Sequence, residues 1–232
     1  MMNPAMTNPR VLILGIGNVL WADEGFGVRV IENLLTHYVF PENVEVLDGG
    51  TQGIYLVHHI EAADVLIVFD AIDFSLPPGT LHSIYNQDVP KFLSAKKMSL
   101  HQTGFQEVLA MAEMLGHYPQ HLLLIGVQPV ELEDYGGSLR PLVKAQIQPA
   151  IALAFDYLQN FGISYTQIEA KMHIELADPA LDMQRYEAER PSAQEACRLG
   201  DERIIYASNI KIIPPQSNPD AIPVAVDFRG QY

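Results

Sequence analysis

The sequence predicts an α/β protein in which a twisted, mostly parallel sheet carries helices on both faces, a three-layer arrangement. Two observations lead there. Four short runs, Val11 to Leu14, Val44 to Leu47, Val65 to Phe69 and Leu122 to Val127, are apolar or nearly so, and strands buried on both faces are what a parallel sheet requires. Amphipathic helical patterns separate these runs, which is the alternation of βαβ units.

Taken in order, the first strand runs into the glycine-rich stretch "GIGNVLWADEGFG", Gly15 to Gly27, and the helix after it spaces Phe26, Val30, Ile31, Leu34 and Leu35 along one side. After the second strand, Ile54, Val57 and Ile60 have helical spacing. "DFSLPPGT", Asp73 to Thr80, is turn chemistry, and the overlapping "TLHSIY" alternates like a half-exposed strand, an antiparallel edge for the sheet. In "SLHQTGFQEVLAMAEMLGH", Ser99 and Thr103 each precede a glutamine by three positions, so either can cap a helix that turns Phe105, Val108, Leu109, Ala112 and Leu115 inward. Pro141 opens a last helix with Ile147, Ile151, Phe155 and Leu158 on its apolar face; Pro149 is expected to kink it and Gly162 to stop it. Beyond Ile163 the chain turns charged and proline-punctuated, poor in core patterning. The expected organisation is a flexible N-terminus over 1–9, an α/β domain over 10–163, and a largely irregular tail over 164–232 whose removal leaves the fold intact.

Composition narrows the function. With 48% hydrophobic residues, the 232-residue chain can bury a core. A formal charge of −14 repels phosphate backbones and anionic lipid, so neither nucleic acid nor a membrane surface is expected as a partner. A single cysteine, Cys197, precludes an internal disulfide framework and a thiolate zinc cluster. The start "MMNPAMTNPR" lacks a signal-peptide pattern, and no window reaches the roughly 18 uninterrupted apolar residues that cross a bilayer, so a cytoplasmic protein is expected.

The glycine-rich loop invites a nucleotide-cradle reading, which its residues oppose. Gly15 and Gly17 fill the first and third positions of a dinucleotide fingerprint, but the sixth is Leu20. Asp23 and Glu24 stand where a helix start would meet a pyrophosphate, and two carboxylates there repel it. Either these acids favour the helix start, worth about 0.3–1 kcal/mol, or the loop pushes a carboxylate into the crevice at the strand's C-terminal end, where open α/β sheets bind ligands.

Two other strand ends speak for the crevice. Asp70 closes the buried run "VLIVF", where a carboxylate costs desolvation unless it is met by a partner. His101 lies before a helix start, in the loop returning to the same edge. Glu24, Asp70 and His101 would bring two carboxylates and an imidazole to one rim, a plausible but incomplete donor set for a divalent first-row metal. The chain has no G-x-S-x-G nucleophile elbow and no H-E-x-x-H metal motif.

The ordered motifs "GIGNVLWADEGFGVR", "LDGGTQG", "DAID", "SLHQTGFQEVL" and "LLLIGVQP" resemble those of the hydrogenase maturation endopeptidases, over about Arg10 to Gly162. The likeness is greatest to members serving membrane-bound uptake hydrogenases. It implies a phosphorylase/hydrolase-like α/β fold and a single endoproteolytic cut that removes a short C-terminal extension from the large-subunit precursor of a nickel-iron hydrogenase. The expected partner is that precursor, and the protein is expected to act as a monomer. Glu24, Asp70 and His101 map onto the family's nickel-recognition residues, with nickel arriving in the precursor and no organic cofactor implied. Asp70 and Glu24 are also the candidates for catalysis, a chemistry by which members have been classed as aspartic-type. Asp48, Gly49, Gly50 and Thr51, within "DGGTQG", map onto a motif tied to substrate choice. A non-catalytic nickel-checking chaperone with the same ligands is the alternative from another functional class.

Overall fold

The structure, a computed structural model, describes residues 8–95, 100–169 and 181–190, and of these the side chains of 94–95 and 100–103 fall outside the description. Four parallel strands are the apolar runs lengthened by a residue or more: β1 (Val11–Ile16), β3 (Val44–Gly50), β4 (Val65–Ala71) and β6 (His121–Val127). Two residues, β2 (Tyr38–Val39), intervene after the first. The expected edge strand is β5 (Leu81–Tyr85), antiparallel to β6. The sheet order is β3-β1-β4-β6-β5.

Every residue of β1 and β4 is buried, because side chains alternate between two covered faces. Val11, Ile13, Val65, Ile67, Phe69, Leu123 and Ile125 pack with α1 (Phe26–His37) and α6 (Ile147–Gln159). Leu12, Leu14, Leu66, Val68, Leu122 and Leu124 face α2 (Val57–Ala62), α3 (Asp88–Ala95) and α4 (Leu100–Met114). Each such side chain contributes about 1.5–3 kcal/mol relative to exposure. The expected α/β class and its mostly parallel sheet are therefore what the chain forms.

Details depart from the pattern reading. Ile54, assigned to an apolar face, is 55% exposed. Its segment is a 3-10 turn (Gly53–Leu56) in which Leu56 is buried instead. Helix α3 was not expected. Thr103 lies inside α4 rather than before it, while Ser99 lies outside the described residues. The single helix expected from Pro141 is two, α5 (Pro141–Lys144) and α6. Pro149 falls in the first turn of α6, where its missing N–H would have had no intrahelical partner, so it does not kink the helix. Gly162, at φ +67°, closes the end as expected.

The domain also runs past its expected end at 163. Thr166–Gln167 form β7, antiparallel to β2, and the Tyr165 ring stacks on Phe155 with centroids 3.7 Å apart. A short helix, α7 (Met183–Ala188), is capped by Asp182, which accepts from the Gln184 and Arg185 amides. Apolar periodicity could not reveal these attachments, because α7 has no buried residues and is held by polar groups. The compact unit extends to Arg190; a second unit, Pro191–Tyr232, lies outside the described residues. So do 1–7, 170–180 and Cys197.

Candidate functional site

Chain order decides where the sheet opens. From β1 the chain crosses by α1 to β3 on one side, then by α2 to β4 on the other side of β1. The reversal falls between β1 and β4, the point at which an open parallel sheet leaves a crevice beyond its C-terminal strand ends. Gly15 pairs in register with Phe69, so the loop after Ile16 and residue Asp70 meet at one height.

The loop turns sharply at Gly17 (φ +136°), where a Cβ would strike the Glu24 carbonyl. The Glu24 carbonyl in turn accepts the Asn18 amide at 3.1 Å. Glu24 belongs to the 3-10 turn Ala22–Gly25, which packs against β4. Gly27, the second residue of α1, then seats the helix against both strand ends, since a Cβ there would collide with the Ile16 and Phe69 carbonyls. This tight helix-on-strand approach seats the turn carrying Glu24 at the end of the strand carrying Asp70. Asp70 is 1% exposed and Glu24 half-buried.

The "DGGTQG" loop ends β3 beside them. A bulge shifts the register so that Asp48 pairs with Gly15 but Gly50 with Ile16. The Gly50 carbonyl accepts the Gly17 amide at 2.9 Å, which joins the two glycine loops. Asp48 Oδ1 accepts the Gly50 amide at 2.9 Å. Burial pushes the Asp48 carboxyl above its ordinary range, opposed by that amide and by Arg29. Thr51 is exposed.

His101 is the second residue of α4. That helix packs on the 3-10 turn after "DGGTQG", and a Cβ on Gly104 would stand 3.6 Å from the Gly53 Cα. Backbone topology thus brings the first turn of α4 to the same edge, while the His101 side chain lies outside the described residues. Among the described residues no three His, Cys, Asp or Glu side chains form a metal-holding group.

Two residues matter more here than pattern reading implied. Asp23 is fully buried and does not serve the helix start. Its Oδ2 accepts the Val130 and Glu131 amides at 2.8 and 2.9 Å, and its Oδ1 accepts the Arg140 amide at 2.6 Å. Arg29, 3% exposed, donates through Nη1 to both Glu32 oxygens at 2.8 and 2.9 Å and to the Leu181 carbonyl at 2.8 Å. Burial raises the Glu32 carboxyl, with Arg29 opposing. An arginine among the apolar positions of α1 was the available signal for the second; for Asp23, more than a hundred residues from its partners, no local signal existed.

A family model described as hydrogenase maturation protease matches residues 28–157. The chain is 57% identical over 215 residues to the hydrogenase expression/formation protein HupD of Thiocapsa roseopersicina, covering 92% of this chain and 97% of that one. It is 57% identical over 197 residues to the hydrogenase expression/formation protein HoxM of Cupriavidus necator, covering 84% of this chain and 98% of that one. Among solved structures, the hydrogenase maturating endopeptidase HybD of Escherichia coli superposes with a TM-score of 0.65 at 38% identity, over 68% of this chain and 97% of that one.

Proposed function

The chain belongs to the hydrogenase maturation protease family, and from that premise we propose that it recognises nickel already seated in its client and then cuts a short extension from the client's C-terminus. It is a hydrolase, an endopeptidase that processes the precursor of a hydrogenase large subunit. The client in this reading is a nickel-iron enzyme of the membrane-bound uptake type, and processing takes place in the cytoplasm. No helix among the described residues is long and apolar enough to cross a membrane.

The observation that carries the reading is the meeting of the Glu24 turn and the end of β4, with Asp70, at the reversal point of the sheet. Glu24, Asp70 and His101 are proposed as the ligands, since carboxylate oxygens and an imidazole nitrogen suit a first-row divalent ion. Three donors leave the shell open, so the precursor's own thiolates complete it and an empty precursor binds poorly. Asp70 or Glu24 then takes a proton from the water that attacks the scissile carbonyl, a role that contributes about 10²- to 10⁴-fold. Asp48, Gly49, Gly50 and Thr51 are proposed to meet the substrate backbone, with the glycines permitting close approach. No organic cofactor is required, and the monomer suffices.

The test incubates the purified chain with nickel-loaded and nickel-free precursor and reads the precursor mass. Loss of a C-terminal peptide from the loaded form alone is expected. An unshortened loaded precursor would leave only a chaperone that inspects nickel, and equal cleavage of both forms would remove nickel recognition.

A further inference from the structure

Between β6 and α5 the chain runs through residues 128–140 without helix or strand, yet it is sewn to the loop that carries Glu24. The Ala22 and Asp23 amides donate to the Gly137 and Glu131 carbonyls, each at 3.1 Å, and the Gly136 amide donates to the Leu20 carbonyl at 2.8 Å. The buried Asp23 carboxylate takes its three amides from this same stretch. Trp21 sits edge-on to Tyr135, with centroids 5.2 Å apart. Four successive residues before Glu24 are thereby located by one irregular segment, so the place of Glu24 depends on what holds that segment.

What holds it on the far side is Asp134. Its carboxylate accepts Arg140 Nη2 at 2.7 Å and Arg190 Nη2 at 2.8 Å on both oxygens, with the side chain only 10% exposed. Arg140 joins the two acids, giving its amide to Asp23 and its guanidinium to Asp134. Arg190 arrives at the end of a segment anchored upstream. The Leu181 carbonyl is bound by Arg29, and Glu187 accepts from Ser138 at 2.8 Å and from Lys144 at 2.9 and 3.1 Å.

We propose that the Asp134–Arg190 pair is a positioning element for the endopeptidase: it clamps residues 128–140 so that Asp23, and with it Glu24, keeps the place the reaction needs. The proposal rests on Glu24 acting in the site. A loop without helix or strand retains conformational freedom unless it is pinned, and a misplacement of about 1 Å at a reacting group costs up to about 10²-fold in rate. Neither Asp134 nor Arg190 need touch the substrate.

Trp21 is the only tryptophan of the chain, so its emission reports this loop alone. Full-length Arg190→Gln and Asp134→Asn are compared with wild type for kcat and KM on the loaded precursor and for Trp21 emission. Both variants are expected to lose roughly ten- to a hundredfold in kcat, to keep KM within about twofold, and to shift Trp21 emission to the red. Arg190→Lys, which keeps the charge but not the planar fork, should recover part of both. Wild-type kcat in both variants would overturn the proposal, and so would a fall in kcat with unchanged Trp21 emission. If one variant does not fold, the other and Arg190→Lys decide by the same criteria. Should wild type itself leave the precursor uncut, the functional reading fails, while the emission shift still reports the clamp.

Discussion

At the scale of single residues, three acids gathered near the C-terminal strand ends have different environments. Asp23 is consumed by structure, Asp70 is the last residue but one of the fully buried β4, and Glu24 is half-buried in the turn that packs on that strand. Glu24→Gln and Asp70→Asn are each expected to lower precursor processing by about 10²- to 10⁴-fold, with helical circular dichroism unchanged; wild-type rates in both would remove the crevice from the chemistry. Asp134 permits a prediction in pH. Burial acts to raise its carboxyl, but the hydrogen bonds and charges of Arg140 and Arg190 outweigh it and hold the group below its ordinary range. A lowered carboxyl stabilises the fold fully above its unfolded value of about 3.9 and loses that contribution as pH falls through the lower folded value. Tyr135, Tyr186 and Glu187 also lie nearby, and Glu187 is lowered as well, burial being outweighed by Lys144 and Ser138. The melting-temperature gap between wild type and Arg190→Gln is therefore expected to be constant near neutrality and to close in strong acid. A gap independent of pH would assign it to packing.

At the scale of elements, the junction between α1 and the strand ends determines where the site can form. Gly27 carries no special backbone angle; what it supplies is absence of a Cβ between the Ile16 and Phe69 carbonyls. Gly27→Ala should cost about 1–3 kcal/mol by overpacking, read as a lower melting temperature, and should reduce processing by pushing the turn with Glu24 off the end of β4. A stability loss without loss of kcat would separate packing from positioning. The strands of the main sheet were legible because apolar or nearly apolar runs of this length between helical patterns have few other uses. The break between α5 and α6 was not, because Pro149 is compatible with either a kink or a first turn until neighbouring hydrogen bonds are known.

At the scale of the whole molecule, the described residues beyond 163 are joined to the domain. The β2–β7 ribbon, the Tyr165 stack and the polar anchors of 181–190 make these attachments. A chain ending at Ile163 is expected to melt roughly 2–8 °C below the full chain, the shift that 1–2 kcal/mol produces in a domain of this size. An unchanged melting temperature would return these residues to the dispensable class. The anchors are ion pairs and hydrogen bonds to sites far off in the chain, and such pairs leave no periodicity to read.

Sequence alone determined the α/β class, the strands of the main sheet, the family likeness and the set of candidate acids, because burial imposes local patterns and ligands of open α/β sheets bind at the C-terminal strand ends. Tertiary structure decided that Asp23 serves the scaffold. The partners of Asp23 lie 107 to 117 residues away, and only folding brings such groups within hydrogen-bond distance. The same long-range closure made Asp134 and Arg190 part of the site's support.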